Sequence, residues 1–84
     1  MEVKFERCCG IDIHKKKVVA CLLIGKKKEI REFGTMTDDI LDLCKWLKDN
    51  LCDVVAMEST GVYWKPIYNL LEERGFQQIV GNAQ

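Results

Sequence analysis

The chain has 84 residues, of which 48% are hydrophobic and 31% are charged, and its 13 basic and 13 acidic residues give a formal net charge of zero. That length allows one small domain with one core, and the composition excludes a disordered or fibrous chain. Zero net charge excludes the overall basic surface of a stand-alone nucleic-acid binder. Because no apolar run reaches the length of a membrane span or forms a signal peptide, we expect a cytoplasmic protein without membrane contact.

The first half of the chain has the pattern of an antiparallel meander. Residues 7–14 alternate between apolar and polar, which predicts a first strand, and residues 18–24 form a second, more continuously apolar strand. A turn at residues 25–28 leads into a third strand at residues 29–33. The connections are short, so neighbouring strands are expected to run antiparallel.

A helix is predicted next, followed by a fourth strand. Thr37, Asp38 and Asp39 offer the residue types that begin helices, and apolar residues then recur at three- and four-residue spacing from Ile40 to Leu51. The apolar run at residues 54–57 predicts the fourth strand.

The last third predicts a crossover unit. A second helix is expected from Trp64 to Arg74, with Pro66 in its first turn and Gly75 as its stop, and a fifth strand at residues 76–80. A strand, helix and strand of this length place the two strands parallel. The predicted fold is therefore an α/β domain with two helices and a mixed five-stranded sheet. The sheet has the order 3-2-1-4-5, and strand two runs antiparallel to strand one.

Two acids occupy matching places in this sheet. Asp12 lies near the end of the first strand, and Glu58 directly follows the apolar run of the fourth. Glu58 taken alone could equally cap the next helix or face solvent, but neighbouring parallel strands would bring the two carboxylates to roughly one strand spacing, about 5 Å. Such a pair suits Mg²⁺ or Mn²⁺, and it favours metal-assisted phosphodiester chemistry.

Four neighbouring residues are weaker candidates for contacts to nucleic acid. His14 shares a strand face with Asp12, and Lys15 follows it, although a surface histidine and a solvated lysine are the plain alternatives. Thr60 and Gly61 precede the second helix, whose free N–H groups could hold a phosphate.

The five cysteines show no C-x-x-C pair, and only His14 is available to assist them in binding a metal ion. We expect reduced and mostly buried small apolar residues rather than a zinc site or a disulfide framework. They are Cys8, Cys9, Cys21, Cys44 and Cys52.

Three segments together resemble the amino-terminal part of transposases of the IS110 type. They are Gly10-Ile11-Asp12-Ile13-His14-Lys15, Met57-Glu58-Ser59-Thr60-Gly61-Val62-Tyr63-Trp64 and Val80-Gly81-Asn82-Ala83-Gln84. The resemblance implies a RuvC-like, ribonuclease H-like catalytic domain, of which residues 1–84 would be the N-terminal portion. It also implies an Asp-Glu-Asp-Asp set that binds divalent metal and acts on DNA, with Asp12 and Glu58 as its first two acids.

In that family the last two acids, a domain that supplies a serine nucleophile and the regions for a guide-like RNA lie farther along. The resemblance therefore implies that the sheet is truncated, that the two-metal site is incomplete and that this chain is inactive by itself, whereas a full-length parent would be an enzyme.

Two other functions stay open. Gly10-Ile11-Asp12-Ile13 with the following hairpin is also similar to the first phosphate loop of actin-like and sugar-kinase ATPases, although His14 and lysines stand where those loops have Gly and Thr. A non-enzymatic interaction module, including a homo-oligomer formed through an exposed edge strand, is the third possibility.

Overall fold

The chain folds into one mixed sheet with both helices packed on the same face. The computed structural model describes residues 6–59 and 63–82. The sheet has the order β3-β2-β1-β4-β5, as the sequence predicts, and it is open rather than closed into a barrel. The elements are β1 (Arg7–Ile13), β2 (Val18–Ile24), β3 (Lys27–Phe33), α1 (Thr37–Asp49), β4 (Val54–Ser59), α2 (Trp64–Glu73) and β5 (Gln77–Asn82).

Strand directions follow from the lengths of the connections. β1 pairs antiparallel with β2, and β2 pairs antiparallel with β3, because each connection is a tight turn. β4 runs parallel to both β1 and β5. The helix α1 precedes β4, and α2 connects β4 to β5, so in each case a helix brings the chain back before it enters the next strand. The C-terminal ends of β1, β4 and β5 therefore lie at the same end of the sheet.

One apolar core lies between the helices and the inner face of the sheet. Alternate residues of β1, β2 and β4 point inward and pack against α1 and α2. The domain therefore has two layers, one of sheet and one of helices. The fully buried side chains include Cys9, Ile13, Val18, Leu22, Ile40, Leu43, Leu47, Val55 and Leu71. The opposite face, which we call the open face, is covered by no element among residues 6–59 and 63–82.

Both helices end in the same hydrogen-bonded motif with different residues at its left-handed position. In α2 the N–H of Phe76 donates to the carbonyl of Leu71, and Gly75 takes a φ of +84°. In α1 the N–H of Cys52 donates to the carbonyl of Leu47, and Leu51 takes a φ of +58°. This is the Schellman arrangement, in which glycine is the usual residue.

Several predicted boundaries are wrong by a few residues. The apolar spacing places Leu51 on the stripe of α1, but Leu51 lies beyond the helix and is 74% exposed. The sequence predicts the fifth strand at residues 76–80, but Phe76 precedes it and Gly81 and Asn82 belong to it, since they pair with Glu58 and Ser59. A parallel neighbour offers hydrogen bonds to the whole length of a strand, whatever its own propensity.

The other boundary differences are small. β1 ends one residue earlier than predicted, β3 begins two residues earlier, at Lys27, and β4 continues through Glu58 to Ser59. Pro66 lies in the first turn of α2, as expected. No helix in the described part of the chain is both long and apolar enough to cross a membrane.

Candidate functional site

Asp12 and Glu58 are direct neighbours on the open face. They are paired in the register of the parallel strands β1 and β4, so their side chains leave the sheet on the same side. The separation is one strand spacing, about 5 Å between backbones, as the sequence predicts. Both residues are exposed, and the side chain of Asp12 is 63% accessible.

Strand alternation explains why both acids face outward. Ile11 and Ile13 point into the core on either side of Asp12, and Met57 does the same before Glu58. An inward carboxylate would be desolvated without a partner, which costs several kcal/mol, roughly 2 to 7 for a neutral polar group and more for a charge. The apolar pattern therefore fixes the face on which the acids lie.

His14 stands beside Asp12. Its Nε2 lies 3.2 Å from Oδ2 of Asp12, and the two side chains are 48% and 63% exposed. The N–H of His14 donates to the carbonyl of Lys17 at 2.9 Å, which closes the turn between β1 and β2. Lys15 is exposed within this turn. The structure thus places His14 beside Asp12, and it places Lys15 in the turn that follows.

Two of the predicted contact residues, Thr60 and Gly61, lie outside the described residues. The last described residue before them, Ser59, is the last residue of β4.

A shallow hollow of about 470 Å³ adjoins the two acids on the open face. Gly10 and Ala56 form its floor between Cys21 and Ile79. Among residues 6–59 and 63–82, apart from Gly10 and its two chain neighbours, no heavy atom lies within 4 Å of the position that a Cβ on Gly10 would take. The hollow thus leaves room beside the carboxylates for water or a phosphate group. Within residues 6–59 and 63–82, no cluster of three or more His, Cys, Asp or Glu side chains is close enough to hold a metal ion.

Glu32 is an acid of this face that the sequence reasoning missed. The register places Glu32, Val19, Asp12 and Glu58 in one row across the sheet, so Glu32 is two strands away from Asp12, about 10 Å. Its Oε2 lies 3.9 Å from Nζ of Lys17, an exposed ion pair. Counting the hairpin register outward from its turn would have found this residue.

The cysteines differ from the two acids because most of them are buried. Cys9, Cys44 and Cys52 are buried, and burial raises the pKa of each thiol. The pKa of Cys9 rises from the ordinary thiol value of 9.0 to about 12. Cys8 and Cys21 are half-buried, and all five are free. The thiols with raised pKa values are neutral at neutral pH, so they are poor nucleophiles and poor metal ligands.

The fold resembles two solved structures. A Pelota protein from Archaeoglobus fulgidus superimposes with a TM-score of 0.70 at 14% identity, over 93% of this chain and 26% of that one. A Bacteroides thetaiotaomicron protein with an actin-like ATPase fold and unknown function gives a TM-score of 0.66 at 14% identity, over 90% of this chain and 32% of that one. This chain thus spans between a quarter and a third of their lengths, and at this identity the likeness is one of fold.

Comparison with the curated proteins gives no match. The family model for DEDD transposases of the IS110 type, described as a transposase, matches residues 9–84. The match contains both Asp12 and Glu58 and nearly the whole chain. The chain therefore belongs to the IS110-type DEDD transposase family.

Proposed function

We propose that Asp12 and Glu58 hold a divalent cation, Mg²⁺ or Mn²⁺, and that this site serves phosphodiester chemistry on DNA. We further propose that residues 1–84 are the N-terminal portion of a RuvC-like, ribonuclease H-like catalytic domain. The observation that carries the proposal is the register of β1 and β4, in which the two acids are paired on one face. Membership of a transposase family supports DNA as the substrate.

The donor atoms fit such a cation. Carboxylate oxygens are the hard ligands that Mg²⁺ and Mn²⁺ prefer, and Mg²⁺ is commonly held by one or two carboxylates together with water and substrate phosphate. Both acids are exposed, and the hollow beside them leaves room for those other ligands. A bound cation would polarise the scissile phosphate and activate an attacking oxygen.

The residues around the acids have supporting roles in this proposal. His14 contacts one oxygen of Asp12, which restrains the carboxylate near the end of β1. Lys15, exposed in the following turn, is placed to meet a DNA phosphate. A phosphate contact by Thr60 and Gly61, and a guide-like RNA in a full-length relative, stay predictions from the sequence.

Two carboxylates alone bind Mg²⁺ or Mn²⁺ weakly. The described residues bring no third acidic, histidine or cysteine ligand into the pair. We therefore propose that this chain binds the cation with low affinity and does not by itself cut or join DNA. Reproducible strand cleavage or exchange by the purified 84-residue chain would contradict this part of the proposal.

The ATPase alternative gains no support beyond fold. A phosphate loop needs free backbone N–H groups that point at the ligand. In the turn after β1 the N–H of His14 is already bonded to the carbonyl of Lys17. Tight binding of Mg-ATP without any response to Mn²⁺ alone would reverse this ranking.

The test is an Mn²⁺ titration followed by paramagnetic broadening of backbone amide signals in NMR spectra. We expect broadening centred on the ends of β1 and β4, with a dissociation constant on the order of 1 mM for a site with two carboxylates. Asp12→Asn and Glu58→Gln should each weaken binding by about tenfold, since each removes one of two charged ligands.

Glu32→Gln is the matched control, because Glu32 lies on the same face and in the same row but two strands away. This substitution should leave the midpoint of the Mn²⁺ titration within about twofold of that of the unchanged protein. At roughly 10 Å from Asp12, the charge of Glu32 is mostly screened. Equal weakening by Glu32→Gln and Glu58→Gln would mean that Mn²⁺ responds only to the general negative charge of this face, and the proposed site would be wrong.

A further inference from the structure

The two edges of the sheet differ sharply in charge. In β3, Lys27, Lys28, Glu29, Arg31 and Glu32 are charged, so only two of its seven residues are not. β5 has the sequence Gln-Gln-Ile-Val-Gly-Asn and carries no charged residue. Natural sheets place charges on exposed edge strands because these prevent pairing with another chain. β3 has this protection, and β5 does not.

The outer side of β5 presents free backbone hydrogen-bonding groups. The N–H of Gln77 donates to the carbonyl of Asp53, at 2.8 Å, on the β4 side of the strand. Backbone groups alternate in direction along a strand, so those of Gln78, Val80 and Asn82 point away from β4. Within residues 6–59 and 63–82, no strand pairs with this side.

Apolar side chains flank this edge on both faces. Ile79 is 51% exposed on the open face, and Val80 is 39% exposed on the helix face. Val80 lines a hollow of about 400 Å³ together with Trp64 and Tyr68 of α2. An added strand would cover both side chains while it takes up the free hydrogen-bonding groups, which is how β-augmentation gains affinity.

We propose that β5 pairs antiparallel with β5 of a second copy of this chain, with the two-fold axis at Val80. Outward-pointing residues must face each other in such a pair, which allows Val80 to meet its own copy and Gln78 to meet Asn82. By symmetry the Gln78–Asn82 pairing occurs twice, which makes three residue pairs, and these exchange about six backbone hydrogen bonds.

On the open face, the same register sets Ile79 opposite Gly81 of the second copy, where no side chain obstructs it. The contact is isologous and closed, so it gives a dimer rather than a fibre. Asp12 and Glu58 lie on β1 and β4 and supply none of the backbone groups of this pair, so sedimentation and the Mn²⁺ titration test the two proposals separately.

The test is sedimentation equilibrium of the 84-residue chain over a concentration series in a reducing buffer, so that no disulfide can join two copies. We expect a reversible dimer. Ile79→Lys should raise its dissociation constant by at least about tenfold, since it sets a charge at the edge of each copy.

Ile30→Lys is the matched control, because Ile30 is also an isoleucine on the open face of an edge strand and is 60% exposed. Both isoleucines lie in the same row across the sheet, at its opposite edges. The control should leave the dissociation constant within about twofold, because β3 is already charged. Circular dichroism of both variants shows that each remains folded.

Amide hydrogen exchange tests the proposed register of the β5–β5 pair directly. The N–H groups of Gln78 and Val80 should gain protection as the protein concentration rises, whereas the N–H of Gln77, already bonded to Asp53, should not change. A chain that stays monomeric at about millimolar concentration would overturn the proposal. An equal loss of association in Ile79→Lys and Ile30→Lys would overturn it as well, because that result indicates contact through the open face.

Discussion

Replacing Leu51 with glycine should stabilise the fold, because Leu51 holds a backbone conformation that suits glycine. Its φ is +58° in the motif that ends α1, where α2 uses Gly75 at +84°. An L-residue with a side chain pays about 1–2 kcal/mol in the left-handed region. The side chain is 74% exposed, so little apolar burial is lost by its removal.

The expected gain is smaller than the strain that is relieved. Glycine gives the unfolded chain more conformational freedom, which costs about 0.5–1 kcal/mol. The net increase in the free energy of unfolding is therefore about 0.5–1 kcal/mol, measured by urea unfolding followed by circular dichroism.

Two variants separate backbone strain from other effects. Leu51→Ala keeps a Cβ and hence the strain, so it should change the free energy of unfolding by less than about 0.5 kcal/mol. Gly75→Ala introduces the same strain at the end of α2 and should destabilise the protein by about 1 kcal/mol. If Leu51→Gly proves no more stable than Leu51→Ala, the left-handed conformation is not the source of the cost and the reasoning is refuted.

The buried thiol of Cys9 should make the protein sensitive to alkali. Its pKa is raised from 9.0 to about 12 by burial, so its contribution to stability is full below pH 9 and is lost as pH rises toward 12. At about pH 10.5 the free energy of unfolding has fallen by about 2 kcal/mol for this reason. In urea unfolding measured against pH, Cys9→Ala should abolish this loss, whereas Val55→Ala should not. At the start of α1, the Asp39 carboxylate accepts a hydrogen bond from the N–H of Met36 at 3.2 Å, and a Cβ on Gly34 would collide with that carboxylate. Gly34→Ala and Asp39→Ala should each cost about 1 kcal/mol and the double variant little more than either, so fully additive losses in a double-mutant cycle would contradict a shared contact.

The topology and the pairing of the two acids could be predicted from the sequence, because both depend on connection lengths. Short turns force antiparallel neighbours, and a helical crossover forces parallel ones. Once β1 and β4 are adjacent and parallel, polar residues that follow apolar runs in each strand meet at the same end. Alternation then places Glu58 on the same face of the sheet as Asp12.

The ends of elements could not be predicted, because they depend on individual contacts, some of them between residues that are distant in sequence. Gly81 has low strand propensity, yet it pairs in register with Glu58. Leu51 fits the apolar spacing of α1, but the helix ends before it, where the side chain of Asn50 donates to the carbonyl of Trp46 at 2.8 Å. Propensity and periodicity carry no information about either contact.

The sequence also left undecided which face of the sheet stays uncovered, and this determines how the acids can be studied. The core lies between the helices and the inner face, so the stability of the fold comes from residues such as Ile13, Met57 and Leu71. Asp12 and Glu58 lie on the other face, exposed to solvent, and contribute little to that core. Neutral variants of the two acids should therefore change cation binding while the free energy of unfolding stays within about 0.5 kcal/mol. A large loss of stability in Glu58→Gln would instead indicate that the carboxylate has a structural role, and the physical separation of core and site would not hold.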